Sequence, residues 1–385
     1  EEWKEYRLGE IANIQTGPFG SQLHNKDYVE DGTPIVTVEH LGSKKFTTQN
    51  LPCVTSEDRE RLKKYSMEEG DVIFSRVGSV DRCSYVDSSE EGWLFSGRCL
   101  RVRPSNRIFP LFLYYYLCQP AIKRHIRNIA VGATMPSINT QLLSEVPIEI
   151  PALQIQERIA SILSPLDDKI ALNRKINSNL EEQAKALFKS WFIDFEPFKG
   201  GKFVDSELGK IPEGWEVCPL EQMGKFKRGK TIVAKNTKEG TVPVVAGGME
   251  PAYYNNVANT KGPVITVSAS GANAGFMRLY FQDIWASDCS FLDNTNENLL
   301  WIYCFLDNNR RVLRHAQTGA VQPHVKPADI NSILVCVPVH ELIDKFQNVV
   351  RPLFLTIGLL QSETMRLQRT RDTLLPKLMS GEIKV

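Results

Sequence analysis

The stretch Leu153-Gln-Ile-Gln-Glu-Arg-Ile159-Ala-Ser-Ile-Leu163 opens a segment, extending to Trp191, in which apolar residues recur every seven positions. One series of positions holds Ile159, Leu166, Asn173, Leu180 and Leu187, and the other holds Leu163, Ile170, Asn177, Ala184 and Trp191. This spacing is the a/d seam of a heptad repeat. It predicts a long helix whose apolar stripe needs a partner, because packing of that stripe stabilises such a helix.

The same pattern returns 187 residues later (346 − 159 = 187). Its two series hold Phe346, Leu353, Leu360, Leu367 and Leu374, and Val350, Ile357, Thr364, Arg371 and Leu378. Two seams in one chain predict a two-helix antiparallel coiled coil, with ordinary core helices as the alternative. Pro165 and Pro352 occupy matched positions, where each helix would either begin or bend.

Two asparagines interrupt the first seam near its middle. A buried polar residue in a coiled coil lowers stability but fixes the alignment of the helices. We therefore predict that Asn173 and Asn177 set the register, with Leu360 and Thr364 as their neighbours in the partner helix.

The segment before the first seam is repeated before the second seam, so the repeat spans about half of the chain. The opening from Trp3 to Gly17 is echoed by the segment from Trp215 to Gly229, at an offset of 212 (215 − 3). A buried strand, a helix and a small-residue loop then recur, with helices predicted at 113–129 and 299–316 and loops at 132–136 and 319–323. The predicted fold is α+β, with two similar α/β globules joined by two long helices in a pseudo-two-fold internal repeat. The predicted segments are a first globule at 1–151, a helical spacer at 152–196, a linker and second globule at 197–338, and a C-terminal helical spacer at 339–385.

The composition limits which classes of protein the sequence can belong to. The 385 residues are 42% hydrophobic and 24% charged, and the formal net charge is +1. No apolar run reaches the length of about 18–20 residues that spans a membrane. The eight cysteines form no C-x-x-C pair and the six histidines show no ligand spacing, so no metal site is predicted. The residues present carry no signal peptide, and reduced thiols indicate a cytoplasmic protein.

One motif typical of catalysis occurs in the chain. Gly224-Lys-Phe-Lys-Arg-Gly229-Lys230-Thr231 satisfies the P-loop pattern for nucleotide phosphates. A P-loop needs a buried strand before it and a helix after it, and the flanking sequence favours neither. No nucleophile, acid–base pair or triad is recognisable. We therefore predict no catalytic residue and keep nucleotide binding only as an unfavoured alternative.

Positive charge recurs at matched positions of the two halves. Lys123, Arg124 and Arg127 correspond to Arg310, Arg311 and Arg314, at the offset of 187 (310 − 123). Further candidates are Lys227, Arg228 and Lys230 in the second half and Arg76 in the first. Clustered Arg and Lys neutralise phosphates, which favours a nucleic-acid surface over an ordinary solvated helix face.

Five segments resemble one known family. They are Trp3-Lys-Glu-Tyr-Arg-Leu8-Gly-Glu-Ile11, Gly17-Pro-Phe-Gly-Ser-Gln22, Leu187-Phe-Lys-Ser-Trp-Phe192-Ile-Asp-Phe195, Glu207-Leu-Gly-Lys-Ile-Pro-Glu-Gly-Trp215 and Leu375-Pro-Lys-Leu-Met-Ser-Gly-Glu382. They look like the specificity subunit of type I restriction–modification systems, which act in phage defence. The resemblance implies that each globule is a target-recognition domain reading half of a split, asymmetric sequence in double-stranded DNA.

The resemblance also implies partners. The helices would act as a spacer and bind two methyltransferase subunits, and motor–nuclease subunits would complete the restriction enzyme. S-adenosylmethionine, ATP and Mg are expected on those partners, with no cofactor in this chain. The alternative is a coiled-coil assembly scaffold that never reads DNA.

Overall fold

The computed structural model describes residues 3–18, 20, 22–315 and 324–385, without the side chains of residues 25, 314 and 315. The chain forms two compact units. Unit 1 comprises Glu1–Leu172 with Thr364–Val385, and unit 2 comprises Asn173–Glu363. The predicted division into four segments stays a prediction.

Unit 1 is a mixed α/β unit built on a four-stranded antiparallel sheet. Its strands are β1 (Lys4–Arg7), β2 (Ala12–Thr16), β3 (Thr33–Val36), β4 (Cys53–Val54), β5 (Val72–Ser75), β6 (Cys83–Tyr85), β7 (Leu94–Phe95), β8 (Cys99–Pro104) and β9 (Pro147–Ile150). Its helices are α1 (Leu8–Ile11), α2 (Ser56–Arg61), α3 (Pro110–Cys118), α4 (Pro120–Ile129), α5 (Thr140–Ser144) and the first part of α6 (Leu153–Phe192). The strand orders are β2-β8-β5-β6, β4-β3-β7 and β1-β9. All four residues of β5 are buried, so this strand lies at the centre of the unit.

Unit 2 follows the same plan after an extra hairpin. Its strands are β10 (Phe203–Ser206), β11 (Gly209–Pro212), β12 (Glu216–Pro219), β13 (Lys227–Arg228), β14 (Val242–Val245), β15 (Tyr253–Asn255), β16 (Val264–Ser268), β17 (Met277–Tyr280), β18 (Trp285–Ala286), β19 (Cys289–Asp293) and β20 (Leu334–Val337). Its helices are α7 (Leu299–Asn308), α8 (Arg310–His315), α9 (Pro327–Asn331) and the first part of α10 (His340–Met379).

The strand orders demonstrate the internal repeat. In unit 2 they are β13-β19-β16-β17, β15-β14-β18 and β12-β20, and β10 pairs with β11. The strands β3 and β7 run parallel, as do their counterparts β14 and β18, while the other pairs are antiparallel. The prediction of two repeated units of mixed helix and strand is confirmed.

Each long helix has 40 residues and continues through its proline, so neither helix begins at Pro165 or Pro352. In unit 1, α6 packs against the end of α10 through Ile159 and Leu163 on one side and Leu375 and Leu378 on the other. In unit 2, the Phe188 and Phe192 rings of α6 lie 5.6 and 5.1 Å from the Phe346 ring of α10. Asn173, earlier on α6, bonds to Glu363, later on α10, so the two helices run in opposite directions within unit 2.

The structure differs from the prediction at one kind of element, the helix after the sheet in each unit. The single helices expected at 113–129 and 299–316 are each broken into two, α3 with α4 and α7 with α8. The break in unit 1 falls at Gln119, whose ψ of 138° is extended. The cause is Pro120, because the ring of a proline disfavours the helical conformation of the preceding residue. In unit 2 the break falls at Asn309, and residue 316 lies outside the described part.

Candidate nucleic-acid interface

The basic triplet of unit 1 lies on α4, which begins at Pro120. Ile126 is buried on the inner face of this helix, whereas Arg124 and Arg127 are exposed and Lys123 is half-buried. An N1 proline suits a helix start, since its missing N–H would have no partner there. α4 is therefore a short helix that buries one apolar face and exposes its charged side chains to solvent.

The connection between β5 and β6 lies beside α4. On this connection, Asp81 Oδ2 accepts a hydrogen bond from Arg127 Nη1 at 2.6 Å. At its start, Arg76 Nη1 donates to the Gly97 carbonyl at 3.1 Å. The Gly78 amide donates to the Pro136 carbonyl at 2.8 Å, which attaches the predicted small-residue loop. The structure thus brings Arg76, Arg127 and this loop together around residues 76–82.

The matched triplet of unit 2 lies on α8. Arg310 Nε donates to Asp307 Oδ1 at 2.8 Å, and Arg311 is exposed. Burial and Asp307 raise the pKa of Glu181, and the Arg310 guanidinium acts in the opposite direction. Arg310 therefore lies among carboxylates next to α6. Arg314 belongs to α8, but its side chain and the predicted loop at 319–323 lie outside the described residues.

A second basic group of unit 2 lies on and after β13. Lys227, Arg228 and Lys230 are exposed, and Arg228 forms an ion pair with Asp288. Asp288 also accepts a hydrogen bond from Ser270 Oγ at 2.8 Å, which ties β13 to the loop after β16. A shallow cavity of about 580 Å³ opens here, lined by Lys225, Phe226, Lys227, Arg228, Pro219, Glu221, Pro327, Ala328, Asn331 and Ser332.

Five of the predicted cations have no ion pair within the described part of the chain: Lys123, Arg124, Lys227, Lys230 and Arg311. Arg124 and Arg311 occupy equivalent positions (311 − 124 = 187) on α4 and α8. The guanidinium charges of Arg124 and Arg311 are solvated. A bound phosphate would therefore meet an unneutralised positive charge at each of these residues. By contrast, Arg127, Arg228 and Arg310 are already partly neutralised by carboxylates.

Sequence reasoning missed two acidic members of this surface, Asp81 and Asp288. Asp81 and Asp288 lie at different places in the repeat, so the matched-position argument did not reveal them. Two further lysines of unit 1 contact acidic residues. Lys44 Nζ donates to Ser164 Oγ and Asp168 Oδ1 of α6 at 2.6 and 2.7 Å, and Lys45 pairs with Asp87 at 3.0 Å. Both lysines hold the unit together.

The P-loop alternative fails on geometry. The motif Gly224–Thr231 follows a 3₁₀ turn, contains β13 and leads into an irregular segment, with no helix to receive a phosphate. Within the described residues, no group of His, Cys, Asp and Glu side chains has a metal-ligand arrangement. No described helix is both long and apolar enough to cross a membrane.

The predicted register residues are partly buried or buried. Asn173 and Asn177 are buried, Leu360 and Thr364 are half-buried, and Asn173 Nδ2 donates to Glu363 Oε2 at 2.7 Å. Glu363 lies between Leu360 and Thr364, close to the predicted neighbours. Whether this layer sets the register stays a prediction.

The chain is a duplicated α/β architecture with basic helices at equivalent positions, and comparison with known proteins identifies its family. The family model for the type I restriction modification DNA specificity domain matches residues 1–182 and 212–347. The MjaIX specificity subunit of a type I restriction enzyme of Methanocaldococcus jannaschii is 32% identical, covering 100% of this chain and 94% of that protein. The HindI specificity subunit of Haemophilus influenzae is 25% identical over 99% and 100% of the two chains.

A solved structure has the same fold. The type I restriction–modification S subunit from M. genitalium superposes with a TM-score of 0.63 at 18% identity, covering 98% of this chain and 96% of that one. The chain belongs to the type I restriction–modification DNA specificity family. It is therefore a DNA specificity subunit and not a catalytic one, which confirms the prediction and disfavours the scaffold and nucleotide-binding alternatives.

Proposed function

We propose that each unit reads one half of a bipartite, asymmetric target in double-stranded DNA. The observation that carries this proposal is the repeat itself, with exposed Arg124 and Arg311 at equivalent positions of two similar units. Two units with the same fold but different surface residues suit two half-sites of different sequence.

The proposed phosphate contacts come from the basic residues of the two units, which are Arg76, Lys123, Arg124, Arg127, Lys227, Arg228, Lys230, Arg310, Arg311 and Arg314. Neutralising phosphates releases condensed counterions, which supplies affinity without sequence preference. Sequence is then read by side chains that reach base edges in the grooves.

The two long helices would form one antiparallel coiled coil that sets the distance between the half-sites. The opposite directions of α6 and α10 within unit 2 support this arrangement, as does the heptad pattern. The layer of Asn173, Asn177, Leu360 and Thr364 would fix its register.

The helices also offer a surface for two copies of one partner. Exposed apolar side chains recur at equivalent positions: Ile162 (38%) with Val349 (51%), and Leu172 (50%) with Leu359 (72%). Each pair is separated by 187 residues (349 − 162; 359 − 172), and the exposed Pro165 and Pro352 lie between them. Exposed apolar groups clustered on a soluble protein mark interaction sites.

We assign these two surfaces to two methyltransferase subunits, which would carry S-adenosylmethionine. Motor–nuclease subunits using ATP and Mg would join the same cytoplasmic complex.

The test is a domain exchange in the assembled methyltransferase. Residues 1–151 are replaced by the corresponding segment of a relative, and methylated sites are mapped in one host by sequencing. One half of the target should change while the other half and the gap stay the same. A matched exchange of residues 197–338 should change only the other half. A folded, active chimera in which both halves change would contradict independent reading.

A further inference from the structure

Two cysteines of unit 1 lie in contact although they are distant in sequence. Cys83 begins β6 and Cys118 ends α3, and their Sγ atoms are 3.8 Å apart. Cys83 is buried and Cys118 is half-buried. A disulfide needs a sulfur separation of about 2.05 Å, so the two sulfurs would have to approach by a further distance of about 1.8 Å.

The surroundings of Cys118 favour its thiolate, which is the reactive form of cysteine. The hydrogen bond from Cys83 lowers the pKa of Cys118, and the nearby Lys123 ammonium acts in the same direction. Burial acts in the opposite direction at Cys118 but is outweighed there, whereas it raises the pKa of Cys99 and of Cys289 to about 12. Cys118 is thus suited to act as the nucleophile, and the Cys83 thiol lies beside it as the partner for a disulfide.

We propose that Cys83 and Cys118 are a peroxide-responsive dithiol that closes to a disulfide within unit 1. In the first step, the Cys118 thiolate attacks one oxygen of a hydroperoxide and breaks the O–O bond. Cys118 becomes a sulfenic acid, and the leaving oxygen takes a proton as water or alcohol. In the second step, the Cys83 sulfur attacks the sulfenic sulfur, forms the S–S bond and expels water. Two thiols are oxidised and one peroxide is reduced.

The bond would tie together the elements that border α4. Cys118 lies two residues before Pro120, the first residue of α4, and Cys83 directly follows the connection that carries Asp81. Unit 2 has no such pair: Phe305 is equivalent to Cys118 (305 − 118 = 187), and Met277 faces β16 as Cys83 faces β5. The chemistry is therefore confined to one unit.

The experiment oxidises the full chain with hydrogen peroxide. Remaining thiols are blocked under denaturing conditions, and the peptides are mapped by mass spectrometry. We expect a cross-linked peptide joining Cys83 and Cys118, lighter by two hydrogen atoms and reversed by dithiothreitol. Cys218 and Cys336 serve as the matched control, because they lie on the paired strands β12 and β20 at adjacent registers whose side chains point to opposite faces.

Two variants assign the roles. With Cys83→Ala, dimedone should trap a sulfenic acid at Cys118, and with Cys118→Ala neither dimedone adduct nor cross-link should form at Cys83. Absence of the Cys83–Cys118 peptide from folded wild-type protein, or cross-linking of Cys218 to Cys336 at an equal rate, would overturn the proposal. Because the mapping on the wild type needs no variant and no DNA, its outcome is independent of folding defects and of DNA reading.

Discussion

Asp167 on α6, which is buried, and Arg371 on α10, which is half-buried, form an ion pair in unit 1, with 2.6 Å between Oδ1 and Nη1. Tyr115 on α3 completes the group, because its hydroxyl donates to Asp167 Oδ2 at 2.9 Å. Burial raises the pKa of Tyr115, and the Asp167 carboxylate acts in the same direction, so the phenol stays protonated as the donor. This polar group joins the globule to both long helices.

The equivalent positions of unit 2 are all apolar. Tyr115, Asp167 and Arg371 correspond to Ile302, Phe354 and Ala184 (302 − 115 = 354 − 167 = 371 − 184 = 187), and those three residues are buried. The same place in the fold is therefore stabilised by charge in one unit and by hydrophobic contact in the other. The long helices therefore have a polar contact with the globule in unit 1 and an apolar contact at the equivalent place in unit 2.

The first prediction removes one partner of this ion pair. Arg371→Ala leaves the Asp167 carboxylate buried without its counter-charge, which should lower the free energy of unfolding of unit 1 by about 3–5 kcal/mol. Urea unfolding of the full chain, followed by circular dichroism, measures the change.

The matched control makes the whole group apolar, as in unit 2. Tyr115→Phe combined with Asp167→Leu and Arg371→Leu should recover most of the lost stability, since apolar replacement of a buried ion pair is often neutral. A triple variant less stable than Arg371→Ala would show that the ion pair itself stabilises the helices.

The heptad seams and the repeat were predictable because they follow from periodicity and from self-comparison of one sequence. Arg371 also lay within the predicted seam, but its partner did not, since Asp167 belongs to neither apolar series. The Asp167–Arg371 ion pair depends on how α6 is rotated about its own axis. The heptad period does not determine that rotation. The pairing of Arg127 with Asp81 was hidden for a related reason: the two residues are 46 positions apart and meet only when the β5–β6 connection folds against α4.

The second prediction concerns the unpaired arginines. Arg124→Ala or Arg311→Ala should each reduce the slope of log affinity against log salt by about 0.9, because each residue meets one phosphate. The assembled methyltransferase complex is titrated with fluorescent duplex DNA at several salt concentrations.

Asp81→Asn is the informative control for this titration. It would release Arg127 from its ion pair, so DNA affinity should rise, whereas Arg127→Ala alone should change the slope less than Arg124→Ala does. Equal slopes for the wild type, Arg124→Ala and Arg311→Ala would show that these charges are only solvated.

The third prediction concerns Glu90, which is buried beside Asp87. Burial and the Asp87 carboxylate raise the pKa of Glu90 from 4.5 to about 7. The folded state therefore binds more protons than the unfolded state between these values, so stability from this group falls as the pH rises from 4.5 to 7.

Glu90→Gln imitates the protonated carboxyl and does not titrate. Its stability relative to the wild type should be unchanged near pH 4.5 and should increase up to pH 8, as measured by urea unfolding across this range. Glu91→Gln, at the exposed neighbouring position, is the control and should show no such trend. A flat difference for Glu90→Gln would mean that Glu90 ionises normally in the folded protein.

The last prediction tests the two apolar surfaces of the long helices. Leu172→Asp and Leu359→Asp place a charge at equivalent exposed positions, where substitution should change the stability of the free chain by no more than about 0.5 kcal/mol. A charge buried without a partner opposes association, so each single variant should lose one of the two methyltransferase subunits. Analytical ultracentrifugation or native mass spectrometry would then show complexes with two copies for the wild type, one for each single variant and none for the double variant. Arg174→Asp changes a charge on an exposed residue of the same helix and should keep both copies, which separates local apolar contact from general electrostatics. If both single variants still bind two subunits, the partners dock on other surfaces of the chain.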